Sequence, residues 1–310
     1  MYFISIDIGG GSLKAIAGDR DGEVLHNSVK SLTRSITPGR LLRLIADAVG
    51  GFSEKMGEKP AGVTVGIPGL IDFSTGNVIR FPNLPNLEGY PLSANLEEEL
   101  KVPFLIENDA NLAAIGEGWR GSGRGVDNFL LVALGTGIGG GIVLRGELYR
   151  GENGLAGEIG HIKIAADGPK CGCGGRGCLE TFAGGLAIEK RAEEAIGKRR
   201  LDAPKDRKAD GAWLSAKARM GRNAAKAIYD QVGNALGRGI GSVIMTLDIN
   251  TVIFAGGGAQ ALDLIKPPMV KEMERSFFGR DFSKLRIMKG ELGEMAGRIG
   301  GIKLAAIHNQ

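Results

Sequence analysis

The stretch N-F-L-L-V-A-L-G-T-G-I-G-G-G, residues 128–141, reads as an apolar strand running into a glycine turn, and it repeats an arrangement present at the start of the chain. There, an apolar strand beginning at Tyr2 leads into the glycine turn of D-I-G-G-G-S-L-K (residues 7–14), residues 13–18 read as a second strand, residues 19–22 turn tightly, and a third strand starts at Glu23. In the later copy the turn is expected over residues 135–141, the next strand over 142–145, and 146–150 continues the meander. Two such units in one chain indicate an internal duplication with a cleft between the halves.

Outside the hairpins, helical and strand patterns alternate. Leu41, Leu42, Ile45, Ala48, Val49, Phe52 and Met56 keep helical spacing, and Ser93 is placed to cap a helix that runs to Leu100. Residues 64–67 and 104–107 read as short buried strands, 251–254 as another, and 186–199, 212–239, 262–277 and 292–308 as helices. The alternation predicts an α/β architecture.

At 310 residues the chain is long enough for two ordinary domains, and 43% hydrophobic with 24% charged residues is globular composition, which excludes a disordered or fibrous protein. A net charge of +4, from 39 basic and 35 acidic residues, gives no reason to expect a nucleic-acid partner. The densest basic run, residues 198–208, is interrupted by Asp202 and Asp206 and reads as a solvated helix end or loop. No segment approaches the roughly 18 continuous apolar residues of a membrane helix. The first apolar run lacks a basic start and is broken at Asp7, unlike a signal peptide, so a cytosolic protein is expected. Glycine is the compositional outlier, 52 residues where average usage would give about 22. Clusters of glycine mark backbone that must approach something closely, often phosphate.

The three cysteines fall within G-H-I-K-I-A-A-D-G-P-K-C-G-C-G-G-R-G-C-L-E. His161, Cys171, Cys173 and Cys178 make one nitrogen and three thiolates, a complete tetrahedral set for zinc with ligands at about 2.0 to 2.3 Å. A closed set leaves no vacant position for a substrate, so such a metal shapes the loop. An odd thiol count argues against a disulfide scaffold and agrees with a reducing compartment. The plain alternative is three unpaired cysteines in a glycine-rich loop.

Gly135-x-Gly137-x-x-Gly140 matches the dinucleotide fingerprint, but a helix should follow that loop and here G-I-V-L-R-G continues as strand. A glycine hairpin turn can still hold phosphate through successive N–H groups. That assigns Gly135, Thr136, Gly137 and Gly139 in the second turn and Gly9, Gly10, Gly11 and Ser12 in the first as candidates. Asp7 adds a carboxylate able to orient hydrated Mg²⁺, and Lys14 an ammonium able to meet a phosphoryl group. Lys14 is equally consistent with an ordinary exposed strand residue. A third cluster, with Gly256 and Gly257, closes a strand and opens a helix, where a flat base can lie on the backbone or the chain simply turns.

Glu107-Asn108-Asp109 ends an apolar strand and precedes a helical run over 110–117. Carboxylates at strand ends in α/β proteins commonly face the ligand crevice. Asp109 can accept a hydroxyl's proton as that oxygen attacks phosphorus, while Asn108 hydrogen-bonds neighbouring hydroxyls. A helix N-cap, which Asn and Asp also favour, explains the same residues.

Taken together, D-I-G-G-G-S-L-K, G-I-P-G-L-I-D (residues 66–72), P-N-L-P (82–85), E-N-D-A-N (107–111), L-G-T-G-I-G-G-G (134–141) and the cysteine run ending in C-L-E-T resemble, in order and spacing, the ROK family of repressors, uncharacterised reading frames and sugar kinases, within the actin-like ATPase superfamily. The resemblance covers residues 7–258 and is most specific at the cysteine run. It implies a two-lobed, ribonuclease H-like fold, with a small N-terminal lobe over 1–118 closed by a C-terminal helix over 292–310. The larger lobe, over 119–291, carries the zinc loop. It further implies an ATP-dependent hexose kinase in which Asp109 is the catalytic base and ATP lies against both hairpins. Gly69, Asn83, Asn108, Glu158, His161 and Glu180 align with sugar-contacting positions, so that His161 serves metal and sugar through its two ring nitrogens. Two departures stand out: Gly11 replaces a usual threonine, so that one hydroxyl contact to phosphate is either missing or supplied by Ser12, and Leu87 lies near a common tryptophan.

The reaction expected is phosphoryl transfer from ATP to the 6-hydroxyl of a hexose, glucose first. N-acetylmannosamine, N-acetylglucosamine, fructose and allose are alternative substrates. A sugar-responsive transcription regulator is disfavoured because the first strand begins at Tyr2, ahead of which no DNA-binding domain is seen, and a non-catalytic sugar-binding module is disfavoured by the phosphate hairpins and Asp109. A homodimer is expected from the long helices and apolar content.

Overall fold

In the computed structural model, which describes residues 1–81, 84–205, 207–277 and 279–308, the chain opens with an antiparallel meander. Its strands are β1 (Phe3–Ile8), β2 (Ser12–Gly18) and β3 (Val24–Ser31). Helix α1 (Pro38–Met56), β4 (Gly62–Ile67), the hairpin β5 (Leu70–Asp72) and β6 (Asn77–Arg80), α2 (Leu92–Leu100), β7 (Phe104–Asn108) and α3 (Asp109–Arg120) follow. A second meander comprises β8 (Phe129–Leu134), β9 (Ile138–Leu144) and β10 (Glu147–Leu148). Beyond it come α4 (Glu180–Ala183), α5 (Gly185–Gly197), α6 (Gly211–Arg219), α7 (Asn223–Leu247), β11 (Thr251–Ala255), α8 (Leu262–Ser276), β12 (Arg286–Lys289) and α9 (Ala296–His308).

The duplication seen in the hairpins extends to whole sheets. One sheet runs β3-β2-β1-β4-β7 and the other β10-β9-β8-β11-β12, so each places the first strand of its meander beside two later strands. Those later strands are parallel in both sheets. Two compact units result: Met1–Asp127 with Gly141–Ala156 and Glu291–Gln310, and Asn128–Gly140 with Gly157–Gly290.

In the first unit β1 is buried on both faces, as a near-continuous apolar run requires. Tyr2, Ile4, Ile6 and Ile8 join a core with Leu41, Ile45 and Phe52 of α1, whereas Phe3 packs with Ile16 and with Ile299, Ile302 and Ala305 of α9. The two-residue period of a strand thus assigns alternate side chains to two helices. Helix α1 starts where Thr37 accepts the Arg40 N–H with Pro38 at its first position, and it stops at Gly57 with φ 69°. At the far end of α3 the buried Glu117 carboxylate accepts backbone N–H groups of Ser122, Glu291 and Leu292, tying down the approach to α9.

In the second unit Leu130, Leu131 and Val132 of β8 and Val252, Ile253 and Phe254 of β11 are wholly buried, without alternation, as befits central parallel strands. Helices α7 and α8 pack against each other.

Several local expectations need correction. The second turn spans only residues 135–137, because β9 starts at Ile138 and includes Gly139, Gly140 and Gly141. A β-carbon at Gly140 would strike Gly157 and Ile159, and one at Gly141 would strike Ala110 and Ala114, so these two glycines serve close packing within a strand. The single helix expected over 212–239 is two, α6 and α7, separated at Gly221, whose φ of 80° no helix accepts. Ser93 lies inside α2 and Pro91 holds the cap position. The final helix starts at Ala296, after a 3₁₀ turn over Gly293–Met295. Strands β5, β6 and β12 are too short to show a period in sequence.

Candidate active site

In the first unit the first glycine turn joins β1 to β2. The Gly9 N–H donates to the Ser12 carbonyl at 2.9 Å, closing the turn over Gly10 and Gly11. A β-carbon at Gly11 would meet nothing within 4 Å and the residue has no left-handed φ, so the fold itself leaves room for a side chain or a ligand there. Asp7, near the end of β1, is largely withdrawn from water, and burial pushes its carboxyl above the ordinary range while the charges of Arg298 and Lys14 pull it back. Lys14 is not a bare cation: its Nζ donates to Glu294 Oε2 at 2.8 Å. Glu294, in the 3₁₀ turn before α9, and Arg298, in the first turn of α9, are charged neighbours that sequence reading missed; only their four-residue spacing hinted at them.

The junction of β7 and α3 separates two roles that the sequence left merged. Asn108 is the N-cap: its Oδ1 accepts the N–H groups of Ala110 at 2.8 Å and Asn111 at 3.2 Å, and its Nδ2 donates to the Gly69 carbonyl at 3.2 Å. Gly69, with φ 110°, bends the chain between β4 and β5 so that this carbonyl is presented. Asp109 is the first residue of α3, with Oδ1 accepting the Ala110 N–H at 2.8 Å, at the helix end whose dipole favours a negative charge. Asn83 lies outside the described residues.

In the second unit the remaining candidates converge. The turn after β8 is anchored by the N–H groups of Gly185 and Leu186 at the start of α5, which donate to the carbonyls of Gly135 at 3.0 Å and Thr136 at 3.1 Å. Gly139 follows in β9. Gly256, with φ 80°, and Gly257 follow β11; a β-carbon at Gly256 would stand 2.5 Å from the Leu134 carbonyl, so the third cluster lies on the end of β8. Glu158 and His161 bracket a 3₁₀ turn over Ile159–His161, and Glu180 opens α4.

The donor atoms of His161, Cys171, Cys173 and Cys178 all lie within 4.8 Å of one another. His161 Nδ1 is 3.6 Å from Cys171 Sγ, and Cys173 Sγ is 3.6 Å from Cys178 Sγ. A tetrahedron with ligands at about 2.3 Å has edges of about 3.8 Å, so the four groups fit a zinc-sized cation in spacing and in donor chemistry. The other ring nitrogen, Nε2, points to Glu158 Oε2 at 3.8 Å. Glu180 Oε1 is 2.9 Å from Cys171 Sγ and 3.6 Å from His161 Nδ1. Lys163, which the sequence reading passed over, sets its Nζ 2.7 Å from Cys178 Sγ, a positive charge beside clustered thiols. Its place two residues after His161 was the available signal. Burial pushes the Glu158 carboxyl up and the Cys171 thiol up, while the Gly175 N–H draws Cys173 down.

The duplicated sheets with glycine turns after their first strands are those of an actin-like ATPase fold. The chain belongs to the ROK family, whose model matches residues 3–307. The glucokinase of Halalkalibacterium halodurans is 33% identical over 97% of this chain and 93% of that protein. A ROK family glucokinase from Streptomyces griseus, solved in complex with glucose and AMPPNP, superimposes with a TM-score of 0.83 at 30% identity, covering 98% of this chain and 99% of that one. The xylose repressor of Bacillus subtilis is 27% identical over 99% of this chain and 77% of that protein. No helix among the described residues is long and apolar enough to cross a membrane.

Proposed function

We propose that this chain is an ATP-dependent hexose kinase that phosphorylates the 6-hydroxyl of glucose. The reading rests above all on Asp109: Asn108 takes the capping duty, so the aspartate on the first turn of α3 need not be explained as a cap. Supporting it are relatives matched over nearly their whole length that carry the name glucokinase, one of them solved with glucose and AMPPNP.

Asp109 accepts the proton of the attacking hydroxyl from the first position of α3. Asn108 has committed its oxygen to the cap and one N–H to Gly69, so its second N–H is the group that reaches a sugar hydroxyl. Gly69, Asn83, Glu158, His161 and Glu180 complete the sugar contacts. The backbone of Gly9, Gly10, Gly11, Ser12, Gly135, Thr136, Gly137 and Gly139 cradles the phosphates, with Gly256 and Gly257 against the base. Asp7 orients hydrated Mg²⁺, and Lys14 exchanges Glu294 for a phosphoryl oxygen. When bound, Mg²⁺ neutralises charge on the transferring group.

His161, Cys171, Cys173 and Cys178 would hold zinc as four protein ligands, and such a metal would clamp the loop that carries His161 and Glu180. Thiolate ligation suits a reducing cytosol, and a homodimer is the assembly we assign.

Coupled ADP release, followed over glucose, fructose, allose, N-acetylglucosamine and N-acetylmannosamine at fixed Mg²⁺-ATP, tests the proposal. Glucose should give the highest kcat/KM. A different best sugar would reassign the substrate, and no saturable ADP release with any hexose would overturn kinase function.

A further inference from the structure

Buried Glu107 and Asn111, with the partly exposed Arg150, form a hydrogen-bonded network that the proposed reaction does not use. Glu107 at the end of β7 is 1% exposed. Its Oε2 accepts Arg150 Nε–H at 2.8 Å, and its Oε1 accepts both the Asn108 backbone N–H and Asn111 Nδ2–H at 2.9 Å. A carboxyl group withdrawn from water needs hydrogen-bonding partners for its oxygens, and removing Arg150 takes away the one that Oε2 has here.

Both other partners of Glu107 belong to the first turn of α3. Asn108 is its cap and Asn111 is a residue whose N–H that cap satisfies, so Glu107 grips the turn from behind while Asn108 closes it from the front. Asp109 sits between them in the chain. Arg150 arrives from just beyond β10, so the last strand of the second meander delivers the cation that holds Glu107.

Taking Asp109 as the base, as proposed above, we infer that Arg150 is a positioning residue: through Glu107 it holds the first turn of α3 so that the Asp109 carboxylate is aimed at the attacking hydroxyl. A displacement of about 1 Å in a reacting group costs on the order of 10²-fold in rate, which sets the scale of its effect. Arg150 touches neither substrate in this scheme, so its removal lowers kcat while leaving the KM values for hexose and ATP little changed.

The test compares wild type with Arg150→Ala, Arg150→Lys, Glu107→Gln and the Arg150→Ala/Glu107→Gln double variant. Arg150→Ala is expected to lower kcat by about 10-fold to 10²-fold. Arg150→Lys, which keeps the charge, should recover most of it. The double variant should be no worse than the poorer single one, because both changes break the same contact. Hydrogen exchange adds a readout independent of turnover: in Arg150→Ala the amides of Asn108, Ala110 and Asn111 should exchange faster while those of α9 do not. An inactive wild type would remove the kinase reading, and the exchange data would still decide whether Arg150 holds the turn. An active wild type with undiminished kcat in Arg150→Ala, additive losses in the double variant, or protection lost throughout the unit would overturn the inference.

Discussion

Glu180 lies against the backbone of Gly137: a β-carbon on that glycine would stand 2.6 Å from Glu180 Oε2. The other carboxylate oxygen reaches Cys171 Sγ at 2.9 Å, so one side chain joins the second glycine turn to the metal loop. Gly137→Ala should therefore displace Glu180 and raise the KM for hexose as well as ATP, each by about tenfold, equivalent to about 1.4 kcal/mol. Gly135→Ala is the control, since its β-carbon would meet nothing within 4 Å. It should leave the hexose KM alone. Equal hexose KM values in the two variants would show that Glu180 does not carry this coupling.

Asp109→Asn keeps an oxygen to accept the Ala110 N–H, so α3 should form normally. Turnover should fall by about 10² to 10⁴-fold while glucose binding, measured by calorimetry, persists. Unchanged turnover would remove Asp109 from the chemistry.

Cys173→Ser should release the metal, measured as bound zinc per chain, and weaken sugar affinity more than ATP affinity. The loop bearing His161 and Glu180 loses its anchor, whereas the first glycine turn is untouched. Similar losses for both ligands would contradict a clamp on the sugar side.

Glu272 on α8 links two helices by accepting Arg238 Nε at 2.6 Å and Arg275 at 2.6 Å. Burial pushes its carboxyl up, but the hydrogen bond and charge of Arg238, with the charge of Arg275, outweigh this and hold it below the usual carboxylate range. A depressed carboxyl stabilises the fold at pH above its unfolded value, and that contribution disappears as pH falls through the folded value. Glu272→Gln should thus lower Tm at pH 7, and the gap from wild type should narrow on acidification. A gap that persists at the acid end of the titration would mean packing, not charge, is responsible.

The duplicated meander was legible because strand and turn are local: at β1 and β8 an apolar run ends in glycine and a second strand pattern follows at once. The clustering of the three thiols was legible for the same reason, since within eight residues they have few ways to avoid one another. Where reading failed, packing had overridden local preference. The glycines at 140 and 141 looked like turn and are strand, because neighbouring backbone and side chains crowd both faces of β9. Gly221 is a different case: nothing lies within 4 Å of where its β-carbon would stand, and its left-handed φ ends the helix through the backbone freedom of glycine itself.

Sequence by itself determined the repeated hairpins, the ROK family motifs, the strand-to-helix position of Asp109 and the grouping of the three cysteines in one loop. The tertiary structure decided the partners: Lys14 with Glu294 across 280 residues, Glu107 with Arg150 across 43, Glu180 with Gly137. Backbone periodicity is written in neighbouring residues, whereas a contact between distant ones exists only once whole sheets and helices have stacked, and no spacing in the chain announces it.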